Sequence, residues 1–141
     1  MRFIILGKPI AWARPRLRIN KFWDSQKKNK LDYSLILESQ RTTKEVLMGP
    51  LSLTIEFHMP IPSSIPKTKQ QGMDGMIHTS RPDLDNMIKF VADACNQILY
   101  NDDAQIAFIQ AKKVYSLEPK TIIELKPLTL GVSSEKNNLS L

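Results

Sequence analysis

The sequence predicts a single α+β domain, a mixed β-sheet packed with two helices in the order β-α-β-loop-α-β-β. Three observations carry that reading. Leu51 to Met59 alternates strictly: Leu51, Leu53, Ile55, Phe57 and Met59 are apolar, and the residues between them are polar. Period-two alternation marks a strand with one buried face. Leu84 to Leu99 places Leu84, Met87, Ile88, Val91, Ala92, Cys95, Ile98 and Leu99 at helical spacing, the signature of a core-facing helix. Strand-sized apolar runs also lie near both ends of the chain.

The first strand is expected over Arg2 to Ile10, where Phe3 to Leu6 is apolar and Gly7 and Pro9 follow. A basic segment with Pro15 near its start reads as a loop or arm. Leu31 to Met48 is a helix candidate, on a partial stripe of Leu31, Leu35, Val46 and Leu47 that Gly49-Pro50 stops. The alternating strand ends at Pro60 and Pro62. Pro60 to Pro82 shows no periodicity and reads as a long loop, a length usually functional or disordered. After the second helix, Asn101-Asp102-Asp103 is a turn signal. Ile106 to Tyr115 and Thr121 to Lys126 complete the strands. The domain is expected to span residues 1–127, with 128–141 a polar, frayed tail.

With 141 residues there is little room for a second domain. No apolar run approaches the ~20 residues of a membrane span, and the N-terminus lacks a signal peptide's apolar core. Cys95 is the single cysteine and falls on the helix stripe, so a buried thiol is expected. These features predict a soluble, cytoplasmic protein with no membrane partner.

The net charge is +6. Between Trp12 and Lys30, seven cationic residues (Arg14, Arg16, Arg18, Lys21, Lys27, Lys28 and Lys30) face only Asp24. That surplus equals the charge of the whole chain, so the remainder is near neutral. One-sided basic charge suits phosphate neutralisation. Trp12, Phe22 and Trp23 interleave aromatics that suit base stacking, though Trp12 is expected in the core. Lys67, Lys69 and Arg81 add cations in the long loop. His58 and His78 have no partner at zinc-ligand spacing, and no phosphate-cradling glycine loop is present, so neither zinc nor a nucleotide cofactor is expected.

The acids Asp83 and Asp85 sit where the chain enters the second helix. Each has a structural explanation: an Asp before a helix is a common cap, and Asp85 and Lys89 form an ordinary i, i+4 pair. A two-residue step where the chain enters a helix can also aim two carboxylates toward one point. Asp85, Lys89, Asp93 and Asn96 share one polar stripe. Acids plus a lysine have the chemistry of metal-assisted phosphodiester hydrolysis. Asp102 and Asp103 return to this group only if the next strand packs beside the helix start, and spacing does not choose between them.

The run Arg81-Pro82-Asp83-Leu84-Asp85-Asn86-Met87-Ile88-Lys89, then Asp93-Ala94, then Asn101-Asp102-Asp103-Ala104-Gln105 resembles the signature of the RusA-type Holliday junction resolvases. Gly7-Lys8-Pro9 and Arg14-Pro15-Arg16 are similar to the N-terminal pattern of its phage and prophage members. The resemblance implies a homodimeric, Mg²⁺-dependent endodeoxyribonuclease, with Mn²⁺ as substitute, that cuts branched DNA at four-way junctions by paired nicks. It implies that Asp83, Asp85 and Asp103 are metal-binding and catalytic acids and that Lys89 is the catalytic lysine, Asp102 being less critical. Arg14, Arg16, Arg18, Lys21, Lys27, Lys28, Lys67, Lys69 and Arg81 are expected to hold the DNA. The strand over Leu51 to Met59 and the helix over Leu84 to Leu99 are candidate dimer surfaces, since they carry the most apolar residues. Two other readings stand beside this one: a junction-binding protein without catalysis, and a nuclease for forks or flaps.

Overall fold

A computed structural model describes residues 1–13, 16–18, 21–23 and 26–128, with the backbone alone for 16–18 and 21–23. Arg14 and the tail from residue 129 lie outside the described residues, as do the side chains of Arg16, Arg18, Lys21, Phe22 and Trp23. The elements are β1 (Arg2–Leu6), β2 (Arg16–Arg18), β3 (Lys21–Trp23), α1 (Lys27–Gln40), β4 (Leu51–Pro60), α2 (Lys67–Met73), α3 (Leu84–Ala94), β5 (Ile106–Ser116) and β6 (Lys120–Pro127). The α+β class holds, with a four-stranded mixed sheet in the order β1-β6-β4-β5.

The alternation in Leu51 to Met59 dictates the centre of this sheet. β4 pairs in parallel with β5 and antiparallel with β6. Its five apolar side chains are buried and the residues between them half-exposed. α1 and α3 cover that buried face with Tyr33, Leu37, Met87, Phe90, Val91 and Ala94. Tyr33 meets Phe90 edge-on, ring centres 5.1 Å apart. Burying a side chain such as Phe57 or Phe90 contributes about 1.5–3 kcal/mol.

Five expectations need correction, the smallest being the first strand, which ends at Leu6 rather than Ile10 because the chain turns at Gly7. The first helix runs from Lys27 to Gln40, not from Leu31 to Met48. Its buried pair is Tyr33 and Leu37, while Leu31 and Leu35 are exposed. Two residues of offset turn the helix by about 200°, so the wrong i, i+4 pair points to water. The chain turns extended at Arg41, and Leu47 instead donates its N–H to the Leu99 carbonyl at 2.8 Å.

The stretch from Pro60 to Pro82 is not a bare loop. It contains α2, opened by Pro66 and carrying no buried residue. Residues 75–78 then lie along the outer edge of β5: Gly75 N–H donates to the Tyr115 carbonyl, Tyr115 N–H to Met76, and His78 N–H to Lys113. A pattern set by main-chain bonds leaves no hydrophobic period to read.

α3 ends at Ala94 rather than Leu99. Gln97 adopts a positive φ of 64° and closes a tight turn onto the Tyr100 carbonyl, yet Leu99 and Tyr100 remain buried. Burial continued beyond the helix, so apolar spacing overran its end.

The basic arm contains a two-stranded antiparallel ribbon, β2 with β3. Its base is clamped by Gln26, whose side chain accepts from Ala13 N–H and donates to the Ala11 carbonyl. Cys95 is buried at 1% exposure, as expected.

Candidate active site

Asp83 occupies the N-cap position of α3 with extended backbone, but its side chain makes no capping hydrogen bond. Asp85 follows in the first turn, and both side chains are exposed. The structural explanation for Asp83 therefore fails, and its carboxylate is left open to solvent. Carboxylates here are also favoured by the helix dipole.

The loop that delivers Asp83 is held from the sheet. The Lys113 ammonium, on β5, donates to the carbonyls of Ser80 at 2.8 Å and Pro82 at 2.7 Å. Sequence reading missed Lys113, because a lysine in a strand carries no signal of what it reaches. On the other side, Trp12 N–H donates to the Asn86 carbonyl at 2.9 Å. Trp12 packs partly against the core, and the Lys89 ammonium lies 3.9 Å from its ring centre. This cation–π contact is worth about 0.5–1 kcal/mol at an exposed site and fixes where the charge sits.

Between these parts lies an open cleft of about 660 Å³, lined by Lys8, Trp12, Arg81, Pro82, Asp83 and Asn86 among others. Lys8 and Arg81 place positive charge beside an acid, which suits a phosphate approaching a metal site. Lys8 was absent from the expected DNA contacts although Gly7-Lys8-Pro9 marked its position. The base of the basic ribbon, at Ala11 to Ala13 and Gln26, sits next to the same helix start.

Lys27 and Lys28 are exposed at the start of α1, and Lys67 and Lys69 are exposed on α2. On the stripe beyond Lys89, Asp93 is ion-paired with Lys30 at 2.7 Å.

Asp102 and Asp103 differ in role. Asp102 caps the 3-10 turn Asp103–Gln105: its carboxylate accepts from Ala104 N–H at 3.0 Å, while the Gln105 side chain accepts from Asp102 N–H at 3.1 Å. The Gln105 amide also donates to the carbonyls of Leu47 and Gly49, pinning the turn. The Ala104 N–H, and then the hydrogen bond with Asp103, hold the Asp102 carboxyl below the usual range. Its hydrogen bond with Asp102 raises that of Asp103, followed by burial and the charges of Asp102 and Asp93. Asp102 is thus a turn residue, and Asp103 is the exposed acid beside it.

Asp103 does not join Asp83 and Asp85. β5 runs parallel to β4, so α3 returns along the sheet and β5 begins beside the end of the helix. Asp83 and Asp93 are about 15 Å apart along α3 at 1.5 Å per residue. Asp103 senses Asp93, at the far end. Among the described residues, no group of three or more His, Cys, Asp or Glu side chains is gathered for a metal ion. The start of α3 therefore offers two carboxylates as hard oxygen donors. That fits Mg²⁺, which is held by one or two carboxylates together with waters and phosphate oxygens. His58 and His78 do not add to it, and burial lowers the pKa of both.

The sheet-and-helix domain thus presents an acidic helix start beside a basic cleft. Residues 7–126 match the family described as Endodeoxyribonuclease RusA. The chain is 30% identical over 138 residues to the uncharacterized protein YqaN of Bacillus subtilis (strain 168), covering 92% of this chain and 97% of that protein. It is 36% identical over 77 residues to the crossover junction endodeoxyribonuclease rusA of Lactococcus phage r1t, covering 54% of this chain and 53% of the phage protein. The chain belongs to the RusA endodeoxyribonuclease family, and its class is endodeoxyribonuclease. Among the described residues, no helix is long and apolar enough to cross a membrane.

Proposed function

We propose that this protein is a Mg²⁺-dependent, structure-specific endodeoxyribonuclease that resolves four-way DNA junctions by paired nicks, acting as a homodimer through residues 1–127. The observation that carries the reading is the uncapped Asp83, open to a cleft walled by Lys8 and Arg81, with the exposed Asp85 two residues on in the first turn of α3. The junction as substrate rests on family membership and on the name of the phage relative.

Asp83 and Asp85 would hold the metal, with Asp103 as the third acid by its place in the family motif. A bound Mg²⁺, or Mn²⁺ in its stead, would supply activation of water and neutralisation of charge on the phosphate. Lys89 sits one turn beyond Asp85 and is steadied by Trp12, so its ammonium meets negative charge growing on the phosphate. Lys8, Arg81 and the basic arm, with Lys27, Lys28, Lys67 and Lys69, neutralise phosphates along the DNA arms. Paired cuts across a junction require two sites related by a two-fold axis.

The test is cleavage of a synthetic four-way junction beside a fork, a flap and a linear duplex of the same sequences. Symmetric nicks in the junction with Mg²⁺, and little cleavage of the others, are expected. Preference for forks or flaps would reassign the substrate, and tight junction binding without cleavage would remove the catalytic reading.

A further inference from the structure

We infer that the cavity between β1 and α1 takes one unstacked nucleobase of the DNA strand held in the neighbouring cleft. Asn29 and Asp32 read its edge and favour a base with an exocyclic amino group over thymine. The inference rests on the proposed nuclease reading and adds a base-reading site to it.

β1 is an edge strand of the sheet, and α1 lies beside it. At one end the Gln40 side chain closes the gap: it accepts from Ile4 N–H at 2.9 Å and donates to the Ile4 carbonyl at 2.7 Å. Beyond that clamp, strand and helix part around a cavity of about 460 Å³, lined by Leu6, Lys8, Ile10, Asn29, Asp32 and Leu35 among others. That volume lies within the ~300–1,000 Å³ of small-molecule sites. Leu6 is 67% exposed and Leu35 63%, so the apolar wall is open rather than packed. Asn29 and Asp32 share one face of α1, three residues apart. Among the described residues, neither side chain has a hydrogen-bond or ion-pair partner. A few polar groups left unpaired on an apolar wall are the makeup of a ligand site.

Two observations name the occupant. Lys8 lines this cavity and also the cleft that contains Asp83. A phosphate on its ammonium therefore leaves the base of that nucleotide, or of the next one ~3.4 Å along the strand, at the cavity mouth. Lys27 and Lys28, exposed just before Asn29, add positive charge for the backbone. The open edge is also too short for a peptide strand. Alternation leaves only Leu6 facing outward past Ile4, and Gly7 then turns away with a φ of 105° and donates its N–H to the Pro119 carbonyl. A nucleobase needs no such edge, because its faces pack on apolar side chains such as Leu6, Ile10 and Leu35. The Asp32 carboxylate only accepts, while the Asn29 amide both donates and accepts. That pair matches an amino group beside a ring nitrogen or carbonyl acceptor, as on cytosine, adenine and guanine. Thymine offers one N–H between two carbonyls, which sets oxygen against the Asp32 oxygens.

Four-way junctions carrying 2-aminopurine, an amino-bearing base that brightens when it leaves the stack, test the site. The label is placed in turn at each nucleotide flanking the cut phosphate, and binding is measured in chelator. Wild type should raise the emission by about two-fold or more at one position. Leu35→Trp, which fills the cavity from an exposed position, should abolish the rise, and Leu31→Trp, exposed on α1 outside the cavity, should keep it. In Mg²⁺, thymine at that position should slow nicking roughly ten-fold, the discrimination of one well-made base contact. Asp32→Asn should shrink that penalty to within about two-fold, because an amide can donate to a thymine carbonyl. No position that brightens, a rise that survives Leu35→Trp, or equal cutting whichever base stands there would overturn the inference, while a cutting wild type keeps the nuclease reading. A wild type that binds the junction and never cuts it would overturn the nuclease reading, and the emission measured in chelator would still judge the cavity. A junction left unbound would sink both.

Discussion

The Lys113 ammonium donates to the Pro82 carbonyl at 2.7 Å, so a strand residue holds the turn that presents Asp83. Replacing Lys113 by Met removes two hydrogen bonds from a charged donor, each worth about 1.5–3 kcal/mol. Lys113 is only half-buried, so the loss should fall at the low end of that range. The expected outcome for Lys113→Met is a lower urea midpoint and a higher Mg²⁺ concentration for half-maximal nicking. A core variant matched in stability, such as Ile123→Val, should leave the Mg²⁺ midpoint alone. If both variants move it equally, Lys113 has no positioning role.

The acids at the helix start should be replaceable without unfolding the domain. Asp83 makes no capping bond, so Asp83→Asn should change thermal stability by less than about 0.5 kcal/mol, the range of an ordinary surface substitution. Its nicking rate should drop by more than about 100-fold, beyond the cost of losing an outer-shell partner. Asp102→Asn should do the reverse, weakening the turn while leaving most of the activity. Calorimetry and single-turnover cleavage read the two effects separately.

Lys89 and Trp12 act as a unit. Lys89→Gln should slow nicking while leaving the Mg²⁺ midpoint and junction affinity near wild type. Trp12→Ala should slow it too and also cost stability, through lost packing and the ~0.5–1 kcal/mol contact. A double variant no slower than Lys89→Gln alone is expected from a coupled pair. Additive losses would separate their roles.

Salt dependence reads the cationic cleft. Lys8→Ala and Arg81→Ala should each lower the slope of log K against log salt by about 0.9 for junction binding. A slope unchanged in both variants would place the phosphates elsewhere.

Cys95 is expected to be inert. Burial pushes its thiol up to about 12, well above its ordinary value, so the neutral form persists across the working pH range. A thiol reagent at pH 8 should label nothing in the native protein and one site after unfolding in urea. Rapid native labelling would mean that the core opens around α3.

Legibility followed the physical origin of each feature. β4 and most of α3 were readable because burial wrote its period into their side chains. The first helix was misplaced because Leu31 and Leu35 imitate a stripe that Tyr33 and Leu37 fill. The run along β5 at residues 75–78 was invisible because main-chain bonds hold it and any side chain serves. Near the cleft, the position of Asp83 and Asp85 at a helix start, with Lys89 one turn on, was legible from helix geometry. The separate fates of Asp102 and Asp103 were not, since the cap at Asp102 depends on Gln105 reaching Leu47 and Gly49. Lys8 and Lys113 escaped notice because each acts across the fold.

The central claim is that carboxylates at the start of α3 support metal-dependent cutting of a DNA junction. The most direct test incubates a labelled four-way junction with wild-type protein and with Asp85→Asn, each in Mg²⁺ and in a chelator. Wild type should give paired, symmetric nicks in Mg²⁺ alone, and Asp85→Asn should bind the junction without cutting it. Equal cutting in chelator, or undiminished cutting by Asp85→Asn, would contradict the account.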